Sequence, residues 1–213
     1  MNIQQDKLFY HLTTLDVFPS IVQNGLLSRG DLRRQNLNFV DTANHEILAG
    51  RERLHLSDRI PFHFHQYTAY DAAVKSTYPH KKFIYLCLDR NYAEQNDFGI
   101  LPLHPNCKFW KEPVQVYPYQ EGFAKIDWQV MELTKQKASE QNIDDNYHKQ
   151  VKMAECLSPA NHRIPIFDFM AIFVKDKQCK NSVEEILRTF HVDNQPRIVV
   201  NSFYFKIQTN SDI

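Results

Sequence analysis

Residues 82–89 read KFIYLCLD, the clearest strand in the chain. Aromatic and branched apolar side chains follow one another there with no turn residue, which suits a buried, pleated segment. Upstream, residues 60–64 (IPFHF) alternate as a second strand, and Pro61 puts its start there or on a sheet edge. Residues 8–12 (LFYHL) form a first strand. Thr13 or Thr14 can cap a helix over residues 15–24, with Val17, Ile21 and Val22 on one face, and Gly25 stands where a helix-ending glycine belongs. Residues 26–28 follow as a short extended segment. Residues 69–75 read as a helix, 91–97 as a turn or short helix, and 99–119, with Pro102, Pro105, Pro113 and Pro118, as mostly extended. Ile126, Val130 and Leu133 set a helix over 126–137, followed by a surface loop over 139–147. Strands are expected over 151–157, 166–174 (IFDFMAIFV) and 197–205 (RIVVNSFYF), with a helix over 183–190. Residues 29–50 are polar and irregular, with a weak helical signal at 42–49, and 51–58 are charged without an apolar stripe. So long an unpatterned stretch reads as a functional loop or lid. No repeat or linker divides the sequence, which implies one α+β domain over 1–213, with many short strands and a few helices.

The 213 residues suffice for one sizeable core, and a hydrophobic content of 43% argues against disorder. Only five glycines are present and neither G-x-G-x-x-G nor G-x-x-x-x-G-K-[ST] occurs, so no Rossmann fingerprint or P-loop is written here. The formal charges cancel, 25 basic against 25 acidic. A protein that grips nucleic acid by a broad phosphate-neutralising surface is usually basic, so any nucleic acid here would enter a local groove and base pocket. Cys87, Cys107, Cys156 and Cys179 are too far apart in sequence for C-x-x-C zinc ligation, and too few for a disulfide framework. The N-terminus lacks an apolar signal core and no apolar run reaches membrane-span length, so a soluble, cytoplasmic protein is expected.

Several constellations could carry chemistry. His11 and Thr13, at the end of the first strand, could bond ribose hydroxyls, or His11 could simply be satisfied at a strand end. Arg51, Arg53 and Arg59 offer guanidinium forks that match phosphate or carboxylate, although Glu52 and Asp58 interleave them as in a solvated charged face. His63 and His65 share a strand face but lack a third ligand, so no metal is expected. His104, between Pro102 and Pro105, could be presented rigidly by its loop. Glu155 is the most suggestive acid: a lone carboxylate entering an apolar strand is costly unless it is paired, with Arg163 or Lys175 as ordinary partners, or functional.

Taken in order, these segments resemble the DarT family of DNA ADP-ribosyltransferase toxins. That family opens with a tyrosine-histidine-hydrophobic-threonine strand, a helix and a G-L/K-L element; here these are YHLT at 10–13 and Gly25-Leu26-Leu27-Ser28. An arginine-bearing helix then precedes a V-P-F-Y-F strand, matched by LAGRERLHLSDRIPFHF at 48–64. IYLCL (84–88), IDWQVM (126–131), VKMAECL (151–157) and PRIVVNSFYF (196–205) match the family's I-x-x-L, L-D-W-x-x-[IM], R-Q-A-E-F-L and P-R-V-x-x-x-x-x-[WF]-Y elements, over almost the whole chain.

The resemblance implies an ADP-ribosyltransferase-like fold, with mixed short-stranded sheets and peripheral helices. It implies NAD as co-substrate, without metal, and a nucleobase of single-stranded DNA as acceptor. It places catalysis on Glu155 and on Arg51, with Arg53 as the alternative register, and NAD on His11, Thr13, Gly25, Leu26 and Arg51. His104, Lys152 and Met153 fall where the acceptor would lie, and residues 29–34 (RGDLRR) are a candidate for DNA backbone contact. A macrodomain-type antitoxin is the implied partner. Where the family carries T-D-x-H, R-Q-A-E and an aromatic Y-F, this chain has LPLHP, KMAE and Phe62-His63-Phe64. These departures lie where the acceptor is chosen, so the modified base stays open, as do RNA or protein acceptors and a non-catalytic binding module.

Overall fold

The computed structural model describes residues 2–37 and 45–206. Eight strands among them build one sheet: β1 (Leu8–Thr14), β2 (Pro61–His63), β3 (Phe83–Asp89), β4 (Gly99–Leu101), β5 (Tyr117–Pro118), β6 (Glu155–Leu157), β7 (Ala171–Val174) and β8 (Arg197–Val200). Their order across the sheet is β5-β4-β6-β2-β1-β3-β7-β8, antiparallel except for the parallel pair β7–β8. The long apolar run of β3 is explained by its place: it lies between β1 and β7, and every residue from Phe83 to Leu88 is buried.

Helices pack on both faces. They are α1 (Phe18–Asn24), α2 (Arg29–Arg34), α3 (His45–Arg53), α4 (Ala69–Thr77), α5 (Arg90–Gln95), α6 (Tyr119–Lys125), α7 (Trp128–Met131), α8 (Lys135–Glu140), α9 (Asp145–Lys152) and α10 (Lys177–Thr189). Phe18 and Ile21 of α1, Val130 and Met131 of α7, Val151 of α9 and Val183 and Leu187 of α10 meet Phe9, Phe62, Ile84, Leu86 and Cys156 in the main core. The opposite face carries a smaller cluster, Tyr10, Tyr85, Cys87 and Ala171 under Val74 and Phe205.

The two halves of the sheet are barely joined at its centre. β1 and β2 share one register pair, Tyr10↔His63. The next facing position on β2 is Pro61, which has no N–H to continue the ladder. Its carbonyl instead meets the His11 ring, with Nδ1 at 2.8 Å. β2 therefore pairs fully with β6 while parting from β1, and a cleft opens in the split.

Several expected elements are reshaped. The helix expected over 126–137 is two short helices, α7 and α8, each with its own cap: Asp127 accepts from the Val130 N–H and Thr134 from the Lys137 N–H. The loop expected over 139–147 includes the end of α8 and the start of α9, capped by Asp144. α9 runs into the strand expected over 151–157, leaving only Glu155–Leu157 extended. The strands expected over 166–174 and 197–205 are shared with 3-10 turns, Ile166–Asp168 and Ser202–Phe205. The irregular stretch contains α2, capped by Ser28, and α3; the weak helical signal at 42–49 lies partly outside the described residues.

Gly25 ends α1 at φ 78° and ψ 167°, a region open essentially to glycine alone. A Cβ there would also lie 2.8 Å from Arg163 Cγ and 3.0 Å from the Ile164 carbonyl, because Leu26 bridges Ile164. Gly25→Ala is therefore expected to destabilise the chain by about 1–3 kcal/mol, read as a shifted midpoint in urea unfolding with unchanged slope.

Candidate active site

The antiparallel registers place Tyr10, His63, Glu155 and Leu101 side by side across β1, β2, β6 and β4. Directly opposed residues project on the same face, with Cβ atoms about 4.5–5.5 Å apart. Glu155 begins β6 after Met153 and Ala154 have turned the chain out of α9, so a carboxylate enters a buried row and only 4% of the residue is exposed. Its counter-ion comes from α3: Arg51 Nη1 donates to Oε1 at 2.9 Å and Oε2 at 2.7 Å. Burial pushes the Glu155 carboxyl up, but Arg51, His104 and His63 together outweigh it and hold it below its ordinary value. Glu155 is thus an anion poised at the floor of the cleft.

The same guanidinium has a free side. Arg51 is 7% exposed, and its Nη2 is buried without a hydrogen-bond partner. A buried donor left unpaired is costly, so Nη2 is a place for a ligand oxygen. Arg53 is exposed and its Nε reaches only the Ala49 carbonyl, at 3.4 Å. Residues two apart on a helix diverge by about 200°, so α3 cannot send both arginines inward. Gly50 brings α3 against the loop carrying His104, since a Cβ there would collide with the Asn106 side chain.

Two histidines are fixed in complementary states. His11 Nδ1 faces the Pro61 carbonyl, which can only accept, so in the neutral ring Nδ1 carries the proton and Nε2 is the acceptor. At His104 the Asn106 backbone N–H donates to Nδ1 at 3.2 Å, so the neutral ring carries its proton on Nε2. Burial lowers the pKa of both rings and favours these neutral forms.

The cleft holds about 210 Å³ and is lined by His11, Thr13, Gly25, Leu26, Arg51, His104 and Glu155, which the sequence had singled out. Lys152 and Met153 are not among its lining. Lys152 ends α9, and burial pulls its ammonium down to about 8. Residues 29–34 form a helix rather than a loop; Arg33 pairs with Glu52 at 2.7 Å and Arg34 with Asp58 at 2.6 Å, while Arg29 lines the cleft. The expected ordinary partners of Glu155, Arg163 and Lys175, are replaced by Arg51. Sequence reasoning missed Tyr70 and Asp71, which line the cleft from α4. Asp71 disguises itself as a helix-cap residue, its N–H donating to Thr68 Oγ1. Among the described residues, no three His, Cys, Asp or Glu side chains are placed to hold a metal ion, and no helix is long and apolar enough to cross a membrane.

A family model described as DarT, ssDNA thymidine ADP-ribosyltransferase, matches residues 10–205. The chain belongs to the DarT family. Its fold is that of Thermus sp. 2.9 DarT: the structure of that protein in complex with ADP-ribosylated ssDNA aligns with a TM-score of 0.73 at 18% identity, over 94% of this chain and 96% of that one. The same protein in complex with NAD+ aligns at 0.72 and 16% identity, over 95% and 98%. Thermosipho africanus DarTG in complex with ADP-ribose aligns at 0.65 and 20%, over 94% of this chain and 51% of that one. No curated protein sequence matches significantly. The DarT fold thus carries the predicted α+β architecture and the NAD-dependent transferase class.

The ion pair makes a stability prediction. Removing one partner of a buried pair strands the other charge, so Arg51→Ala should cost about 3–5 kcal/mol, whereas Arg53→Ala should stay within about 0.5 kcal/mol, both measured by urea unfolding. Glu155 titrates lower folded than unfolded, so its contribution is complete above the ordinary carboxylate range and fades as pH falls through the folded value. Glu155→Gln should flatten that part of the acid limb.

Proposed function

We propose that the chain transfers ADP-ribose from NAD to the thymine base of single-stranded DNA, with Glu155 and Arg51 at the reacting centre. The observation that carries the residue assignment is the buried Arg51–Glu155 pair, with one guanidinium nitrogen left unpartnered at the cleft wall. Family membership carries the class of reaction.

NAD supplies the ADP-ribosyl group and nicotinamide as leaving group. Positive charge develops on the ribose as that bond breaks, and the Glu155 carboxylate lies ready to stabilise it. Thymidine has one ring N–H, at N3, and the same carboxylate serves as general base for it. Losing that proton spreads negative charge onto the flanking carbonyl oxygens, a match for the unpaired Nη2 of Arg51. His11 Nε2 accepts from a ribose hydroxyl, with Thr13 and the backbone at Gly25 and Leu26 on the same wall. His104 Nε2–H donates on the acceptor side. N3 is paired inside a duplex, so the base must come from a single strand or be turned out of the stack.

Lys152 and Met153 then act on the acceptor indirectly, through the placement of Glu155 at the start of β6. The chain works in the cytoplasm as the toxin of a pair, opposed by a macrodomain-type antitoxin that removes the modification.

The test offers labelled NAD with oligonucleotides that differ by one base, beside matched RNA and a protein mixture. Label is expected only on thymine-bearing single strands and is expected to vanish in Glu155→Ala. Arg51→Ala should lose at least about 100-fold in rate, while Arg53→Ala stays near the parent. Label on RNA or protein with none on DNA would overturn the acceptor, and NAD binding without nicotinamide release would make the chain a binding module.

A further inference from the structure

His63 stands where the family resemblance puts a tyrosine, and no step above uses it. It is the cross-strand neighbour of Glu155, on the same face of the sheet. Behind it, Asp71 of α4 is 1% exposed. Asp71 Oδ2 accepts from the Tyr85 hydroxyl at 3.1 Å, while Oδ1 is buried without a hydrogen-bond partner and lies 3.6 Å from His63 Nδ1. Tyr70 closes the ring edge-on at a centroid distance of 5.9 Å. Three buried groups, Glu155, His63 and Asp71, thus run in a line from the reacting centre, and all three line the cleft.

We propose that His63, oriented by Asp71, is a positioning residue that accepts the proton Glu155 has taken from the acceptor base and so restores the carboxylate for the next turnover. The inference rests on the transferase reading above. In the transfer step the N3 electron pair forms the bond to the ribose C1″ carbon, the bond from that carbon to nicotinamide breaks, and its electron pair leaves with nicotinamide. The N3 proton moves to Glu155. It then passes to the lone pair on His63 Nε2, the nitrogen left free when Nδ1–H points at Asp71, and the imidazolium gives a proton to water afterwards. No oxidant or further reactant is needed.

The electrostatics agree with this direction of transfer. Burial opposes a charge on His63, but Asp71 and then Glu155 favour it, Arg51 opposes it, and the balance lies above the ordinary histidine value. The other titratable groups around the ring are Tyr10 and His11 from β1, His65 beyond the end of its own strand, His104 from the loop after β4 and Tyr70 from α4. His11, His65 and His104 are all lowered by burial, so they take up protons below the range in which His63 does. Of these rings only His63 is raised, so a kinetic limb above about pH 6.5 is assigned to His63 by its loss in His63→Gln, whereas a limb from Lys152, pulled down to about 8, would persist there.

The experiment compares the parent, His63→Gln, His63→Tyr and Asp71→Asn. Initial rates of oligonucleotide ADP-ribosylation are read across pH, separated into kcat and KM for NAD, with a thermal melt for each variant. The His63 imidazole is also titrated by NMR in the parent and in Asp71→Asn, without DNA. In the parent, kcat should rise with pH as His63 loses its proton and becomes able to accept. Both His63 variants should lose that limb and about 100-fold in kcat, with KM for NAD little changed and melts near the parent. Asp71→Asn should move both the limb and the NMR titration to lower pH. An intact limb in His63→Gln, a loss confined to KM, or an NMR titration indifferent to Asp71→Asn would each overturn the proposal. A parent that labels no nucleic acid would sink the transferase reading instead, and the NMR titration would still decide whether Asp71 governs His63.

Discussion

Everything at the site depends on one buried ion pair. A carboxylate at the floor of a cleft, 4% exposed, would neutralise itself unless a cation met it there. Arg51 meets it, and the consequences reach well beyond two side chains. To bring Arg51 down, α3 must lie against the open face of the sheet, and Gly50 must let the His104 loop press against it. To bring Glu155 up, α9 must stop at Lys152 so that the next few residues can turn into β6. The pair contributes little net stability by being buried, since desolvation offsets most of the Coulombic gain. Its value is positional: it fixes an anion and leaves one guanidinium edge without a partner.

The sequence carries the two ends of that pair unequally. Glu155 is legible because a lone acid among Met153, Ala154, Cys156 and Leu157 contradicts its surroundings. Arg51 is not, because α3 has no strong apolar stripe and Arg53 looks equivalent; only the buried contact with Glu155 separates them, and in the sequence only the family register favoured Arg51. β3 is legible because apolar residues run through it without interruption, and β1 because apolar and aromatic residues open it. The stretch from 126 to 157 is not. Its helices are short and held by caps from Asp127, Thr134 and Asp144 rather than by a continuous apolar face, so periodicity merged two helices and hid a third. Asp71 hides for a related reason: three residues after Thr68 it reads as helix-start chemistry, and nothing local reveals that its side chain is aimed at the sheet.

Net charge also finds its explanation in the fold. A chain with zero formal charge cannot gather DNA by a broad field. Arg33 and Arg34, the most obvious basic residues near the cleft, are already matched with Glu52, Asp31 and Asp58. The cleft itself is lined by Arg29, Arg51 and Arg59, of which Arg51 is matched by Glu155. Such a site favours recognition of one base and one dinucleotide over recognition of a long phosphate track.

Pro61 ties these features together. In a central strand a proline is usually a defect, because it removes a ladder donor. Here the missing N–H faces β1, and β1–β2 pairing ends after Tyr10↔His63. The strands can then part and open the cleft between two otherwise continuous half-sheets. The orphaned Pro61 carbonyl is satisfied by His11, and that bond sets which nitrogen of the neutral ring is the acceptor. One residue without an N–H thus opens the cleft, fixes the tautomer of His11, and leaves His63 as the last paired residue beside Glu155. The imino acid that weakens the sheet at its middle is the reason the sheet has a cleft there.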